Sequence, residues 1–267
     1  MMINHGIGIQ YNVQLQKLVK AIKKDIDATI IPLVRQYGMT SDSMTTDGWY
    51  DFLIPALMAL MKRWKSERVQ QVAAQLAGDF VKSANNASRK SVAIDLYEGH
   101  PELRDVLQSS TWSNVQLIQS IPDQYLAQVQ QIVVGNMRAG LRPSTIVKQL
   151  QNQFGVTERR AKMIARDQTG KVQSDLNEKR QRAVGFEYFQ WVTSKDERVR
   201  DRHRAIAEKV TAYGPGVYRW DNLPLSDKGV PIKPGSDYQC RCFARPVSDE
   251  EVERNRRNGK TAPGVYR

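Results

Sequence analysis

Cysteine is almost absent from this chain: Cys240 and Cys242, one residue apart, are its only two. A pair so close cannot staple a fold together, and in a reducing compartment it stays as thiols or metal ligands. Long apolar runs are missing too. The longest, Phe52 to Met61, is interrupted by Pro55 and falls far short of the ~20 residues of a membrane span. Met1 to Gly6 lacks the basic start and continuous apolar core of an export signal, so the chain is expected in the cytosol when made, with no membrane contact. Acidic residues are outnumbered: 28 Asp and Glu against 40 Lys and Arg give a formal net charge of +12. Polyanions are the partners such a charge suits, nucleic acid first and acidic protein surfaces second. No Walker loop, serine-protease pattern or paired-carboxylate nuclease signature is present, so the chain is read as a non-enzyme.

What is present is helical periodicity. Tyr11, Leu15, Leu18, Val19, Ile22, Ile26, Ile30 and Leu33 recur at helix spacing and predict a helix over 12–37, with Pro32 ending or bending it. A second series from Trp49 to Phe80 predicts a long helix broken near Lys65, after a polar connection at Ser41–Asp47. Glu98-Gly99-His100 is a break, and Pro101 opens the next helix. Tyr125, Leu126, Val129, Ile132, Val133 and Met137 keep the same period up to Gly140. His5 and His100 read as ordinary loop or surface histidines. From Arg142-Pro143 a helix runs to Leu150, and Phe154-Gly155-Val156-Thr157-Glu158 reads as a tight turn, with Gly155 as a left-handed cap and Thr157 capping a helix to Ala183. Such a pair is either a plain helical hairpin or a helix-turn-helix, with Arg159, Arg160 and Lys162 placed for phosphates.

After Gly185 the pattern changes. Tyr188 to Val192 is aromatic and β-branched, a strand signal, and Thr193-Ser194 leads into a charged segment, Lys195 to Arg204, read as a short helix. In that helix Asp196 pairs with Arg200 four residues on. Val217 to Trp220 and Cys240 to Val247 read as strands, Ser248 as the N-cap of a final helix, and the segment from Arg254, with Arg256 and Arg257, as a basic tail that is frayed or ordered by a partner. The expected fold is α+β and predominantly α. Long N-terminal helices (1–135) precede a small α+β domain with a short β-sheet (136–253) and the tail (254–267).

The densest chemistry lies in Asp196, Arg198, Arg200, His203, Cys240 and Cys242. On one strand the two thiols share a face, and with His203 they offer three ligands for zinc, Asp237 or Asp196 completing the set. A metal-dependent nuclease or toxin-like effector built on that cluster is the alternative function. The plainer reading makes the cysteines small buried residues and His203 a satisfied packing residue.

Ile164-Ala165-Arg166-Asp167-Gln168-Thr169-Gly170-Lys171, Gly185, the strand to Trp191, Asp196 to Arg200, His203, Pro234-Gly235 and Asp237 to Cys242 occur in an order that resembles the Mu F-like head morphogenesis (minor capsid) family of tailed bacteriophages. The likeness covers about residues 140 to 247, with Arg166, Asp167, Trp191, Asp196, Arg198, Arg200, His203, Cys240, Arg241 and Cys242 as its motif core. It implies a virion protein inside the phage head, bound to the portal protein and capsid shell. The implied work is head assembly and DNA packaging or delivery, with nonspecific contact to double-stranded DNA. In this chain the basic residues Arg159, Arg160, Lys162, Arg256 and Arg257 are the candidates for that contact. The family supplies no catalytic residues. Where many members have a histidine shortly before Cys-Arg-Cys, this chain reads Asp237-Tyr238-Gln239.

Overall fold

The computed structural model describes residues 4–37, 47–93, 96 and 100–262. Its contacts gather the chain into two units, one of residues 9–79 and 111–165 and the other of residues 1–8, 80–110 and 166–267. The boundary expected at 135/136 falls inside a helix. The connection expected at Ser41–Asp47 lies, but for Asp47, outside the described residues, as do Glu98 and Gly99.

The first unit is built from helices whose apolar residues recur every three or four positions. They come from α1 (His5–Tyr37), α2 (Asp47–Trp64), α3 (Glu67–Val92), α4 (Pro101–Arg138) and α5 (Pro143–Ala183). Leu15, Val19, Ile22 and Ile26 of α1 are buried, as are Leu53, Leu57 and Leu60 of α2 and Val129 and Val133 of α4. The break near Lys65 stands where the periodicity placed it. Polar side chains inside this unit find partners: the Tyr11 hydroxyl donates to Asn114 at 3.0 Å, and Trp64 Nε1 donates to Asp25 at 3.1 Å. Burial drives the Tyr11 hydroxyl far above its ordinary pKa.

One sequence expectation fails here. Residues 154–158 form no turn, because α5 runs unbroken from Pro143 to Ala183, and the helix-turn-helix reading goes with it. Gly155 has no left-handed backbone, and the Thr157 hydroxyl donates to the Gln153 carbonyl one turn back, a bond available only in a continuing helix. Buried Ile146 and Leu150 before the glycine and Ala161 and Ile164 after it anchor both sides, which outweighs the roughly 1 kcal/mol that an interior glycine costs. Pro32, expected to end or bend its helix, does not end it: α1 continues to Tyr37.

The second unit carries the sheet. Strand β1 (Tyr188–Val192) lies between β4 (Val217–Arg219) and β5 (Phe243–Val247), antiparallel to both, while β2 (Val210–Thr211) and β3 (Gly214–Pro215) form a small ribbon. Alternation along β1 sends Phe189 and Trp191 to one face, into a cluster with Ile206, Trp220, Ile232, Cys240, Cys242 and Ala244. Phe189 stacks on Trp220 with ring centroids 4.1 Å apart. The other cluster joins Val217 and Val247 to Val252 of α7 (Asp249–Arg257), with Tyr188 packed against it. Ser248 caps α7 as expected, accepting from the Glu251 N–H at 3.2 Å, and Glu251 in turn forks onto Arg245.

Three boundaries differ from expectation. The charged helix, α6, spans only Asp201–Glu208. Before it Lys195 is left-handed, and the Asp196 carboxylate accepts the Arg198 N–H at 3.0 Å, a local turn that competes with helix. Cys240 to Cys242 precede β5 instead of belonging to it, since the Cys240 N–H is spent on the Asp237 carbonyl. Arg254 to Arg257 are not tail but the last turn of α7, where cations suit the helix dipole. The pentapeptide Pro215 to Arg219, which makes β3 and β4, recurs letter for letter at 263–267, beyond the described residues.

One substitution checks this fold. A Cβ at Gly155 meets only the end of Arg159 at 3.6 Å, so Gly155→Ala is expected to raise stability by about 0.5–1 kcal/mol in urea denaturation, whereas a left-handed turn at that residue would be destabilised.

Candidate functional site

Helix α5 and the turn before β5 approach each other so closely that only glycine fits. A Cβ on Gly170 would stand 2.9 Å from the Cys240 carbonyl oxygen, and one on Gly235 would stand 3.0 Å from the Gly170 carbonyl oxygen. The approach lets Asp167 accept the Gln239 N–H at 2.8 Å and Ser174 donate to the Pro234 carbonyl at 2.6 Å. Gln239 is left-handed at φ 51°, a conformation that costs about 1–2 kcal/mol for a residue with a side chain, and the bond from Asp167 offsets that cost. Further along α5, Gln181 donates to the Ala244 carbonyl at 3.1 Å, which ties β5 to the same helix.

The turn held in this way presents both thiols to α6. His203, on the buried side of α6, places Nδ1 3.5 Å from Cys240 Sγ and 3.7 Å from Cys242 Sγ, while its Nε2 lies 3.2 Å from the Asp237 carboxylate. Trp191 meets the imidazole edge-on, with centroids 5.3 Å apart. All three of His203, Cys240 and Cys242 are buried. The Cys242 thiol donates to Cys240 and, with His203 and the Cys242 backbone N–H, draws Cys240 well below the ordinary thiol range, while Cys242 holds its proton and moves up. Burial works against a charged His203, but the hydrogen bond and charge of Cys240, together with Asp237, outweigh it and raise the pKa.

Arginines frame this cluster. Arg200 reaches Asp237 at 3.0 Å and also donates to the Tyr238 carbonyl. Arg241 forks onto Asp196, with its Nη2 at 2.6 Å, and holds the Asp196 carboxyl below its usual range. The expected Asp196–Arg200 pair is therefore absent, because each has a partner from the cysteine turn and its flank. Arg166 and Arg198 are exposed and line a cleft of about 180 Å³ with Ser194, His203, Arg241 and Cys242. Asp237 sits on the far edge of the imidazole from the sulfurs and Asp196 is bound to Arg241, so neither stands as a fourth ligand.

The phage Mu protein F like family matches residues 127–245. That stretch of the chain is Mu F-like. Within the expected likeness over about 140 to 247, residues on which it was read converge on one place: Asp167 and Gly170 on α5, Trp191 on β1, His203 on α6, and the turn through Arg241. The family is tied to phage head morphogenesis. An uncharacterized protein of Haemophilus influenzae is 30% identical over 259 residues, an alignment that takes in 92% of this chain and 54% of the relative, so the chain spans about half the length of that protein. No solved structure gives a significant match.

The residues proposed for DNA are a separate matter from the Mu F-like motif. Arg159 and Lys162 are exposed, but Arg160 is half-buried and donates to Ser120 at 2.8 Å, a packing role. Arg257 is exposed, whereas Arg256 pairs with Glu253. Sequence reasoning missed the polar seam under the domain. Arg180, 1% exposed, donates to Asn85 at 2.7 Å, and Ser88 donates to Asn177 at 2.6 Å. Lys233 bridges Asp175 and Glu178. These partners lie far apart in sequence, and only the Pro234-Gly235 punctuation hinted at close packing nearby.

Gly170→Ala is expected to cost about 1–3 kcal/mol in urea denaturation, because its new methyl meets backbone rather than a movable side chain. The Asp196–Arg241 pair gives a pH signature. Its carboxyl is depressed on folding, so its contribution is complete above the ordinary value of 3.8 and is lost as pH falls through the lower folded value. Asp196→Asn is expected to be less stable than wild type at pH 6, with the gap closing below pH 3.8 in acid titrations of urea stability.

Proposed function

We propose that this protein works in phage head morphogenesis as a minor head component docked at the portal, touching double-stranded DNA without regard to sequence. The observation that carries the reading is the Mu F-like match over residues 127–245. The +12 charge supports the DNA part, since counterion release from phosphates rewards any basic surface that reaches a duplex. Exposed Arg159, Lys162 and Arg257 are the residues we assign to it. Arg160 is left out because its guanidinium is engaged with Ser120. Inside the head, packed DNA supplies a dense polyanion, and a protein with weak, sequence-tolerant binding holds its place there without pinning the genome.

Two measurements test the reading. Co-expression with the portal protein of a phage encoding the chain is expected to yield a stable complex at low salt, and failure to co-purify removes the docking role. Binding to unrelated duplexes is expected to be equal in affinity and to weaken steeply with salt. Arg159→Ala with Lys162→Ala should flatten the log–log salt slope by about 0.9 for each phosphate that is no longer neutralised. A preferred sequence, or a slope unchanged by the double substitution, contradicts the assignment of these residues to DNA.

A further inference from the structure

His203, Cys240 and Cys242 each bring one ligand atom to a common place. Zinc bonds of about 2.3 Å to sulfur and about 2.0 Å to nitrogen, opened to the tetrahedral angle, put a nitrogen and a sulfur ligand about 3.5 Å apart. The two nitrogen–sulfur separations here are 3.5 and 3.7 Å, and the three ligand atoms all lie within 4.8 Å of one another. The surroundings are those of a metal ligand set rather than of idle thiols. Asp237 holds the opposite imidazole nitrogen at 3.2 Å, which fixes the ring and leaves Nδ1 to face the sulfurs. The Cys242 N–H donates to Cys240 Sγ at 3.4 Å, as sulfur ligands commonly accept from backbone. Trp191, 1% exposed, lies beside the cluster with an indole N–H that makes no conventional hydrogen bond.

We infer that this cluster is a zinc site in which His203 Nδ1, Cys240 Sγ and Cys242 Sγ bind the ion, Asp237 orients the histidine, and a water from the arginine-lined cleft completes the tetrahedron. Binding releases the remaining thiol and imidazole protons to solvent, and two thiolates neutralise the divalent charge inside the cluster. The ion would clamp α6 to the turn before β5, two segments that also meet through Arg200 and His203 on Asp237. This inference stands apart from any portal or DNA role, because it concerns the site's own ligands.

The test is metal content of the full chain, stripped with chelator and then dialysed against zinc. About one zinc per chain is expected, with cobalt in its place giving the thiolate charge-transfer absorption of a four-coordinate site. Asp237→Asn is expected to keep the ion but bind it 10- to 100-fold more weakly. Cys240→Ser with Cys242→Ser should abolish binding. Should that variant fail to fold, the wild-type protein still decides: chelator must lower its melting temperature and zinc must restore it. Zinc well below one per chain, cobalt without a thiolate band, or a melting temperature indifferent to chelator overturns the site.

Discussion

Everything in the sheet-bearing unit hangs on the near-contact of two backbones, α5 at Gly170 and the turn at Gly235 to Cys240. Two chains of peptide groups can come this close only where no Cβ intervenes, and the gain is direct hydrogen bonding from α5 to a segment with no regular structure of its own. Asp167 satisfies the left-handed Gln239, Ser174 takes the Pro234 carbonyl, and Gln181 takes that of Ala244. A loop pinned at two points along one helix, with β5 held at a third, loses its freedom once, for all the side chains it carries. Those side chains are the ones that meet His203, Arg200 and Asp196, so the order at the cluster is inherited from the helix beneath it.

The charges follow the same logic. Arg200, Arg241 and Lys233 are spent on internal partners, each tying the 233–241 segment to another element. They therefore subtract from the basic surface that the composition advertises. Arg160 and Arg256 are subtracted as well, one by Ser120 and one by Glu253. What remains for a polyanion is a smaller set of exposed arginines and lysines than net charge implies, and of the residues proposed for DNA only Arg159, Lys162 and Arg257 stay exposed.

Much of the helical architecture was legible in the sequence, because burial repeats with the period of the helix and Leu15, Val19, Ile22 and Ile26 announce it directly. β1 and the Ser248 cap were legible for the same reason: alternation and capping are local. The failures share a cause. Gly155 and Thr157 carry the local chemistry of a turn, but packing on both sides overrode it. Lys195 to Arg200 has helical composition, yet Asp196 is held by its own backbone and by Arg241, a residue 45 positions away. The His203, Cys240 and Cys242 grouping was visible as residue types, whereas the role of Asp237 as the orienting partner was not, since nothing local tells which imidazole nitrogen a carboxylate will face.

The central claim is that α5 holds the cysteine turn, and native-state hydrogen exchange at the Gln239 amide tests it most directly. If Asp167 and the Gly170 approach are what order the turn, that amide exchanges as slowly as the ladder amides of β1 and β5, and only through opening of the whole unit. A Gln239 amide that exchanges at the rate of an exposed loop while β1 and β5 stay protected would contradict the account.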